Sequence, residues 1–293
     1  MTAAVRICLL GFGEVGQTLA ADLSARGESH LSAWDLQFAD PQSALSRTSR
    51  LIGAHPADSA SAAVDGCSVV ISAVTADQDE AAARSVMEGM ARDAYFLDLN
   101  SVSPGIKLAV SDLVEAGGAR YVEAAIMSPI SPRRIGSPML FGGPHAAAFL
   151  PVAQSLGFTG AEVFAAELGR ASAAKMCRSV VVKGMEALLA ESLLSARHYG
   201  VEDTVLRSLQ DLFPATDWPT MARYMISRSL VHGRRRAEEM REVARTVSEA
   251  GLDAWMSTAC AERQQWASCY KDVASYEQLA GMLDALLAAR GRT

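Results

Sequence analysis

The chain has 293 residues, half of them hydrophobic and a fifth charged, with a formal net charge of −6 at pH 7. This length and apolar content predict a soluble protein of about two domains, and the acidic balance argues against nucleic acid as a partner. No stretch reaches the roughly 20 apolar residues of a membrane helix, and the apolar N-terminal segment is too short for a signal peptide. Five cysteines without a CxxC pair favour reduced thiols in a cytoplasmic protein over a disulfide framework: Cys8, Cys67, Cys177, Cys260 and Cys269.

A glycine-rich turn follows the first predicted strand, at residues 5–10, and leads into a predicted helix at Glu14–Ala25. In the GxGxxG pattern of dinucleotide-binding proteins, the first glycine makes the tight turn and the second lets the backbone approach a pyrophosphate. The third brings helix and strand together, and the helix N-terminus attracts phosphate. The pattern predicts a dinucleotide site, with an ordinary strand-turn-helix as the alternative. Its residues are Gly11, Phe12, Gly13, Glu14, Val15 and Gly16.

An acidic residue, Asp35, ends the second predicted strand at the spacing expected for the group that binds the adenosine ribose hydroxyls. The polar segment 39–50 carries Arg47 and Arg50, which indicates either a solvated helix or a site for the 2′-phosphate of NADP. Asp35 would repel that phosphate. We therefore predict NAD as the cofactor and keep NADP as the alternative.

Two further apolar runs, at 67–74 and 95–99, indicate parallel strands covered on both faces. The C-terminal ends of such strands lie at the ligand-binding edge of the sheet. Strands alternate with helical segments up to about residue 125, which predicts a doubly wound parallel sheet, the Rossmann arrangement. The residues predicted beside the cofactor at this edge are Ala73, Val74, Thr75 and Asn100.

Short strands are predicted next at 119–125 and 138–141, and apolar residues then recur at helical spacing from 167 to 196. That length exceeds an ordinary globular helix and indicates a spine between two domains. The predicted fold is α/β, with a Rossmann doubly wound parallel sheet at 1–165 and an all-helical substrate and dimerisation domain at 166–293. Helices are predicted in the second domain at 203–211, 219–231, 234–250, 253–267 and 276–290.

Four segments in this order resemble the β-hydroxyacid dehydrogenase and 6-phosphogluconate dehydrogenase superfamily. They are the glycine turn, 100–104, 123–143 and the lysine segment 169–179. The resemblance covers roughly the first 200 residues, and the lysine segment is its most specific part. Residues 231–240 are similar to a short C-terminal domain of uncharacterised members. The resemblance implies an NAD(P)-dependent dehydrogenase that forms a homodimer, since related proteins bury such spine helices between subunits.

Lys175 is the predicted catalytic residue, because in the family that the sequence resembles this lysine is the general acid/base on the substrate hydroxyl or carbonyl. Hydride transfer from a C–OH group requires a proton acceptor on oxygen. A partly desolvated lysine can have its pKa lowered towards neutrality, which suits this task. The alternative is a surface lysine whose methylene groups lie along an apolar helix.

Substrate contacts are implied at several polar residues of the matching segments. Ser103 has a second interpretation as the N-cap of a helix that begins at Pro104, and Arg178 either binds a carboxylate or faces solvent. The residues predicted to contact substrate are Ser101, Ser103, Ser128, Arg178 and Ser179.

The chain departs from the family pattern at three places. Ser179 stands where the family usually has an asparagine that binds substrate, and Val182 replaces the acid of decarboxylating members, which argues against decarboxylation. Residues 127–129, Met-Ser-Pro, replace a serine and two glycines whose backbone holds a substrate carboxylate. Because proline removes a backbone donor and methionine adds apolar bulk, we expect a larger or less polar substrate than a small hydroxy acid.

His232 and the three arginines that follow Gly233 form a basic run in the C-terminal half. The run indicates either an anion site that contacts substrate or a solvated helix face with glutamates four residues further on. The other histidines show no metal-ligand spacing, so no metal is predicted: His30, His55, His145 and His198.

These observations predict an NAD(P)-dependent oxidoreductase that interconverts a secondary alcohol and a carbonyl on a carboxylate-bearing, 3-hydroxy acid-like substrate. Its partners would be a small organic acid and a second copy of the chain, with no nucleic acid and no membrane. An imine reductase on the same scaffold and a non-catalytic dinucleotide-sensing protein are the alternatives. A methyltransferase is disfavoured by the segments around Ser101 and Lys175.

Overall fold

The computed structural model describes residues 5–28 and 30–290. Within these residues, eight strands form one sheet. They are β1 (Ile7–Leu10), β2 (Leu31–Trp34), β3 (His55–Pro56), β4 (Val69–Ser72), β5 (Tyr95–Asp98), β6 (Arg120–Ile126), β7 (Met139–Gly142) and β8 (Ala161–Ala165). The helices that accompany the sheet are α1 (Glu14–Ala25), α2 (Ala44–Ile52), α3 (Ala60–Val64), α4 (Asp79–Val86), α5 (Pro104–Ala116) and α6 (Ala146–Leu156).

The sheet has the strand order β3-β2-β1-β4-β5-β6-β7-β8. Every neighbouring pair is parallel except β6 and β7, which are antiparallel. The chain leaves β1 towards β2 and later returns to β4 on the other side of β1. This reversal marks the switch point at which doubly wound sheets bind ligands, and it confirms the predicted Rossmann arrangement.

The central strands form the core because they are mostly apolar. All four residues of β1 and of β4 are buried, as expected of parallel strands covered by helices on both faces. The edge strand β8 was not predicted. Its residues Val163 and Phe164 are exposed. The strand was missed because it has only five residues, interrupted by Glu162, and so lacks the long apolar run of a buried strand.

The remaining residues form a helical unit. Contacts divide the chain between Met176 and Cys177, inside a long helix, whereas the predicted boundary lies between residues 165 and 166. Helix α7 spans Arg170–His198, and its first turn is bonded to the sheet through Glu123, which explains why this turn belongs to the first unit. The other helices are α8 (Glu202–Leu212), α9 (Trp218–Glu249), α10 (Trp255–Ala267) and α11 (Leu279–Arg290).

The prediction of two helices at 219–231 and 234–250 was wrong, because α9 is continuous through Gly233. A Cβ atom at this glycine would lie 2.5 Å from the carbonyl oxygen of Gln264 and 2.8 Å from the amide nitrogen of Ser268. The glycine therefore serves the close approach of α9 and α10 instead of ending a helix. No helix in the described part of the chain is long and apolar enough to cross a membrane.

Gly233→Ala is expected to lower the free energy of unfolding by up to about 2 kcal/mol. Overpacking against rigid backbone costs about 1–3 kcal/mol, and the better helix propensity of alanine returns only about 1 kcal/mol. Gly184→Ala in α7 is the matched control. Its Cβ would meet nothing within 4 Å, so we expect this variant to be as stable as the parent or more stable. Denaturant unfolding measures both, and equal effects of the two substitutions would contradict the packing argument.

Candidate functional site

The glycine turn has the geometry that a dinucleotide requires. Gly11 has a φ of +89°, and a Cβ atom there would lie 2.5 Å from the carbonyl oxygen of Ala73. A Cβ at Gly16 would lie 2.2 Å from the carbonyl oxygen of Gly11, so α1 packs directly on the turn. Gly13, in contrast, has open space around its missing Cβ. This opening at the start of α1 is where the backbone can approach a pyrophosphate.

Three other residues of the turn help to shape it. Phe12 is fully buried, where its ring packs against that of Phe38 with centroids 5.6 Å apart. Glu14 and Val15 are the first two residues of α1. The side chain of Phe12 thus anchors the turn in the core. The beginning of α1 lies at the carboxyl edge of the sheet, after the end of β1.

Asp35 is tied to the same turn. Its Oδ2 accepts a hydrogen bond from the backbone N–H of Phe12 over 2.9 Å, and its Oδ1 accepts one from Gln37 over 3.0 Å. The half-buried carboxylate retains further acceptor positions, which fit ribose hydroxyls. Arg47 and Arg50 are exposed and donate to the carbonyl oxygens of Gln42 and Pro41, in line with the solvated-helix interpretation.

The segment after β4 is held by Asn100. The Oδ1 of Asn100 accepts the N–H of Val74 over 2.7 Å, and its Nδ2 donates to Ser72 Oγ over 2.9 Å and to Asp79 Oδ1 over 2.7 Å. Ala73 and Val74 are half-buried and Thr75 is exposed. Asn100 was predicted to lie beside the cofactor. The residue is buried, and its side chain supports the backbone of Val74.

Lys175 and Ser101 are brought together although 74 positions separate them. The Nζ atom of Lys175 donates a hydrogen bond to Ser101 Oγ over 2.6 Å. Ser101 follows β5 at the carboxyl edge of the sheet, and Lys175 lies in the second turn of α7, where it is half-buried. The pair joins two of the four segments that carry the family resemblance, 100–104 and 169–179.

Glu123 fixes the helix that carries Lys175. This fully buried carboxylate on β6 accepts the N–H of Gly169 over 2.7 Å and that of Ser172 over 2.6 Å. Ser172 Oγ also donates to the carbonyl oxygen of Val102. Burial raises the pKa of Glu123, while Lys107 and the two backbone N–H groups oppose the rise. Sequence reasoning missed this role, although a glutamate in the apolar strand sequence of β6 was a signal for it.

A buried ion pair lies beneath these segments. Lys107 Nζ on α5 is 2.8 Å from Asp98 Oδ1 on β5, with side-chain exposures of 1% and 0%. The hydroxyl group of Tyr121 donates to Asp98 Oδ2 over 2.7 Å, and burial together with Asp98 raises the pKa of that hydroxyl well above its usual value. The backbone N–H of Asn100 binds Asp98 Oδ1 over 2.9 Å. These contacts, also missed from the sequence, fix the end of β5 next to Ser101.

Two of the predicted substrate contacts have different surroundings. Ser103 is fully buried and accepts the N–H of Ile106 over 3.4 Å as the N-cap of α5. The capping interpretation is confirmed, and the burial of Ser103 leaves no surface for substrate contact. Ser128 is half-buried and donates to the carbonyl oxygen of Pro129 over 3.0 Å. Its neighbour Met127 is also half-buried, so part of an apolar side chain is exposed beside this serine.

The other predicted contacts belong to the helical unit. On α7, Arg178 is exposed and Ser179 is buried, while His232 on α9 is half-buried. Of the basic run, Arg234 is 86% exposed and lies four residues before Glu238, as a solvated helix face would. Arg236 departs from both interpretations.

Arg236 is mostly buried and paired with Glu186 of α7. Gln264 Nε2 of α10 binds the same glutamate over 3.1 Å. A guanidinium already neutralised in this way is not available to a substrate anion, so the anion-site hypothesis does not hold for Arg236. Among the described residues, no group of His, Cys, Asp and Glu has the arrangement of a metal site.

Comparison with known proteins gives two family matches. The NAD-binding domain of 6-phosphogluconate dehydrogenase matches residues 6–168, and a domain of unknown function, DUF1932, matches residues 196–267. The 3-hydroxyisobutyrate dehydrogenase of Pseudomonas aeruginosa is 27% identical over 217 residues, which cover 72% of this chain and 71% of that protein.

Solved structures share the fold. A conserved hypothetical protein of Sinorhizobium meliloti 1021 is 34% identical with a TM-score of 0.75, covering 98% of this chain and 97% of that chain. The 3-hydroxyisobutyrate dehydrogenase of Mycobacterium tuberculosis is 19% identical with a TM-score of 0.71, covering 96% and 99%. An imine reductase of Streptomyces aurantiacus shares the fold at a TM-score of 0.57 and 17% identity, covering 96% and 99%.

The open glycine turn, the carboxylate that supports it and the family match over more than half of the chain agree with one another. The residues present fit a nicotinamide dinucleotide at the carboxyl edge of the sheet. The chain therefore belongs to the NAD(P)-binding oxidoreductases that have the NAD-binding domain of 6-phosphogluconate dehydrogenase, and it is related to 3-hydroxyisobutyrate dehydrogenases.

Proposed function

We propose that this protein interconverts an alcohol and a carbonyl on a carboxylate-bearing, 3-hydroxy acid-like substrate, with Lys175 as general acid/base. The observation that carries the proposal is the hydrogen bond from Lys175 Nζ to Ser101 Oγ. It directs an amine to the carboxyl edge of the sheet, where doubly wound folds bind their ligands. The relatives from Pseudomonas aeruginosa and Mycobacterium tuberculosis that are named 3-hydroxyisobutyrate dehydrogenase support the substrate class.

A nicotinamide cofactor held by the glycine turn and Asp35 would accept the hydride in oxidation and donate it in reduction. The protein supplies the proton chemistry and the orientation. In oxidation, neutral Lys175 accepts the proton of the substrate hydroxyl at Nζ, and in reduction its ammonium returns that proton to the carbonyl oxygen. Ser101 orients Nζ through their hydrogen bond, and such positioned proton transfer contributes about 10²–10⁴-fold to rate.

A panel of substrates tests the proposal. Purified protein with NAD⁺ or NADP⁺ is offered 3-hydroxyisobutyrate, L-serine and 3-hydroxybutyrate, together with the methyl ester of each, and the formation of reduced cofactor is followed by absorbance. L-Serine belongs in the panel because the Mycobacterium tuberculosis relative was solved with it. Turnover of the acids and poor turnover of the esters would support a carboxylate-bearing substrate. Equal turnover of acids and esters would refute that part of the proposal.

An imine reductase is the second candidate. The half-buried Met127 and the exposed Pro129 give apolar character to a loop that follows β6, which suits a substrate without a carboxylate. A cyclic imine with NADPH is therefore added to the panel. Imine reduction that survives Lys175→Met, together with no oxidation of hydroxy acids, would favour this candidate. Cofactor binding without turnover of any substrate would favour a dinucleotide-sensing protein.

Asp35→Ala is expected to weaken NADH binding by about 10- to 100-fold, because hydrogen bonds to a charged group contribute about 1.5–3 kcal/mol and the same carboxylate supports Phe12. NADPH binding should suffer less, since the substitution also removes repulsion of the 2′-phosphate. Fluorescence titration of the cofactor-free protein measures both. Asp40→Ala is the control, because this exposed aspartate binds the N–H of Gln42 instead of the glycine turn. An unchanged NADH affinity in Asp35→Ala would contradict the assignment.

A further inference from the structure

Asp79, the first residue of α4, is a buried carboxyl group that forms no ion pair with any cation in the described part of the chain. Its exposure is 1%, and its Oδ1 accepts a hydrogen bond from Asn100 Nδ2 over 2.7 Å. Its Oδ2 is buried and has no hydrogen-bond donor. The nearby cation, Lys107, is bonded to both the carboxylate and the carbonyl oxygen of Asp98. A bare carboxylate at Asp79 would thus leave one oxygen unsatisfied in a dry site, which is costly.

A proton on Asp79 resolves this arrangement. Burial and the neighbouring Asp98 raise the pKa of Asp79 to about 8, and Lys107 and Asn100 oppose the rise only in part. In the protonated form, the carboxyl O–H of Asp79 can donate to the neighbouring side chain of Asp98. Asp98 then carries the one negative charge that Lys107 balances.

Asn100 connects this carboxyl group to the candidate site. Its amide orientation is fixed by two donations from Nδ2, to Ser72 and Asp79, and by one acceptance at Oδ1 from Val74. The next residue in the chain, Ser101, accepts the hydrogen bond from Lys175. A change at Asp79 therefore reaches the Val74 backbone through one side chain and the Lys175 pair through one peptide bond.

We propose that Asp79 is a positioning residue whose protonated carboxyl group holds Asn100, and with it Val74 and Ser101, in the geometry that binds the cofactor. Loss of this proton places a second negative charge beside Asp98. The hydrogen bond from Asp79 to Asp98 is then replaced by repulsion between two carboxylates. Cofactor affinity should then fall as the pH rises. The inference rests on the assignment of Val74 to the cofactor site, and it goes beyond the proposed function because it names a group that touches neither cofactor nor substrate.

The other titratable groups around Asp79 have partners of their own or lie at the surface. Asp98 on β5 and Lys107 on α5 form an ion pair, and Tyr121 on β6 donates to Asp98. Glu123 on β6 is bonded to the N-terminus of α7. Helix α3, which packs against α4, carries no titratable side chain between Ala60 and Val64. Asp77, just before α4, is exposed and accepts from Thr75 and Gln78.

The test compares Asp79→Asn with Asp79→Ala. Asparagine keeps an acceptor for Asn100 and offers an N–H group to Asp98, so it imitates the protonated carboxyl group at every pH. NADH dissociation constants are measured from two pH units below to two pH units above about 8. We expect wild-type affinity to fall by up to tenfold per pH unit above about 8, the slope of one proton. Asp79→Asn should stay flat, and Asp79→Ala should bind weakly throughout.

Thermal unfolding of the cofactor-free protein gives a second readout. Between about pH 4 and pH 8, Asp79 keeps its proton in the native state but has lost it in the unfolded chain. The stability of wild type should therefore fall as the pH rises through this window. The melting temperature of Asp79→Asn relative to wild type should therefore rise across the window and level off above it. Glu80→Gln, an adjacent exposed carboxyl-to-amide change on α4, is the control and should follow wild type.

Two binding results would overturn the inference. The first is an NADH affinity of Asp79→Asn that falls above about pH 8 as steeply as that of wild type. The second is an NADH affinity of Asp79→Asn at neutral pH that is as weak as that of Asp79→Ala. A melting-temperature difference that does not change with pH would disprove protonation of Asp79 itself. If wild type binds no cofactor at any pH, the cofactor site and the proposed function fail, whereas the melting curves still report on Asp79.

Discussion

Lys175→Met is expected to lower kcat by about 10²–10⁴-fold and to leave the NADH dissociation constant within about twofold of wild type. Methionine fills a similar volume without a proton to exchange. The substitution therefore removes the amine that Ser101 Oγ binds over 2.6 Å and leaves the glycine turn and Asp35 in place. Because a proton acceptor is required only as the hydroxyl reacts, the loss should fall on kcat more than on cofactor binding.

Two further variants make this prediction sharper. Ser101→Ala keeps the amine but removes its oriented hydrogen bond, so we expect a smaller loss in kcat than for Lys175→Met. Lys271→Met removes a lysine that is exposed in the helical unit and should match wild type. Steady-state kinetics with the best hydroxy acid of the panel measures all three. A Lys175→Met enzyme that keeps more than about a tenth of wild-type kcat would contradict the general acid/base role.

Lys107→Met is expected to lower the free energy of unfolding by about 3–5 kcal/mol, because it leaves Asp98 charged in a site from which water is excluded. Lys107 and Asp98 are 1% and 0% exposed and 2.8 Å apart. The hydrogen bonds from Tyr121 and from the N–H of Asn100 remain, but neither neutralises the charge. The free energy of unfolding is obtained from denaturant titration with a probe in the sheet unit.

An exposed ion pair provides the control for this effect. Arg84 and Glu80 on α4 are also 2.8 Å apart, yet their side chains are 65% and 57% exposed. Arg84→Met should change the free energy of unfolding by less than about 0.5 kcal/mol. The double variant Lys107→Met/Asp98→Asn should recover part of the loss, because no unpaired charge remains. A loss below about 1 kcal/mol in Lys107→Met would mean that Asp98 has lost its charge or gained water.

The parts of the site that follow local sequence patterns could be predicted. Gly11, Gly13 and Gly16 form a short pattern whose backbone demands are known, and helix α1 has the predicted bounds. The family resemblance assigned Lys175 and Ser101 to the site separately, and the hydrogen bond between them was not predicted. These features depend on few residues in a fixed order.

The supporting network could not be predicted, because its contacts join residues far apart in the chain. Asp98 and Glu123 look like single polar residues in apolar strands, and only the tertiary fold brings Lys107, Tyr121 and the start of α7 to them. The continuity of α9 was missed for a related reason, since a glycine in a helical pattern indicates either a break or a close contact. The neighbouring α10 decides between these two for Gly233.

The division of the chain between Met176 and Cys177 has a consequence for recombination with relatives. The glycine turn, Ser101 and Lys175 all lie on the N-terminal side of this point, whereas Arg178 and Ser179 come after it. A chimera joined at Met176 would receive the glycine turn and the hydrogen-bonded pair of Lys175 and Ser101 from one parent and its helical unit from another. If the proposed function holds, such a chimera keeps the residues proposed for proton transfer from one parent whatever helical unit it receives.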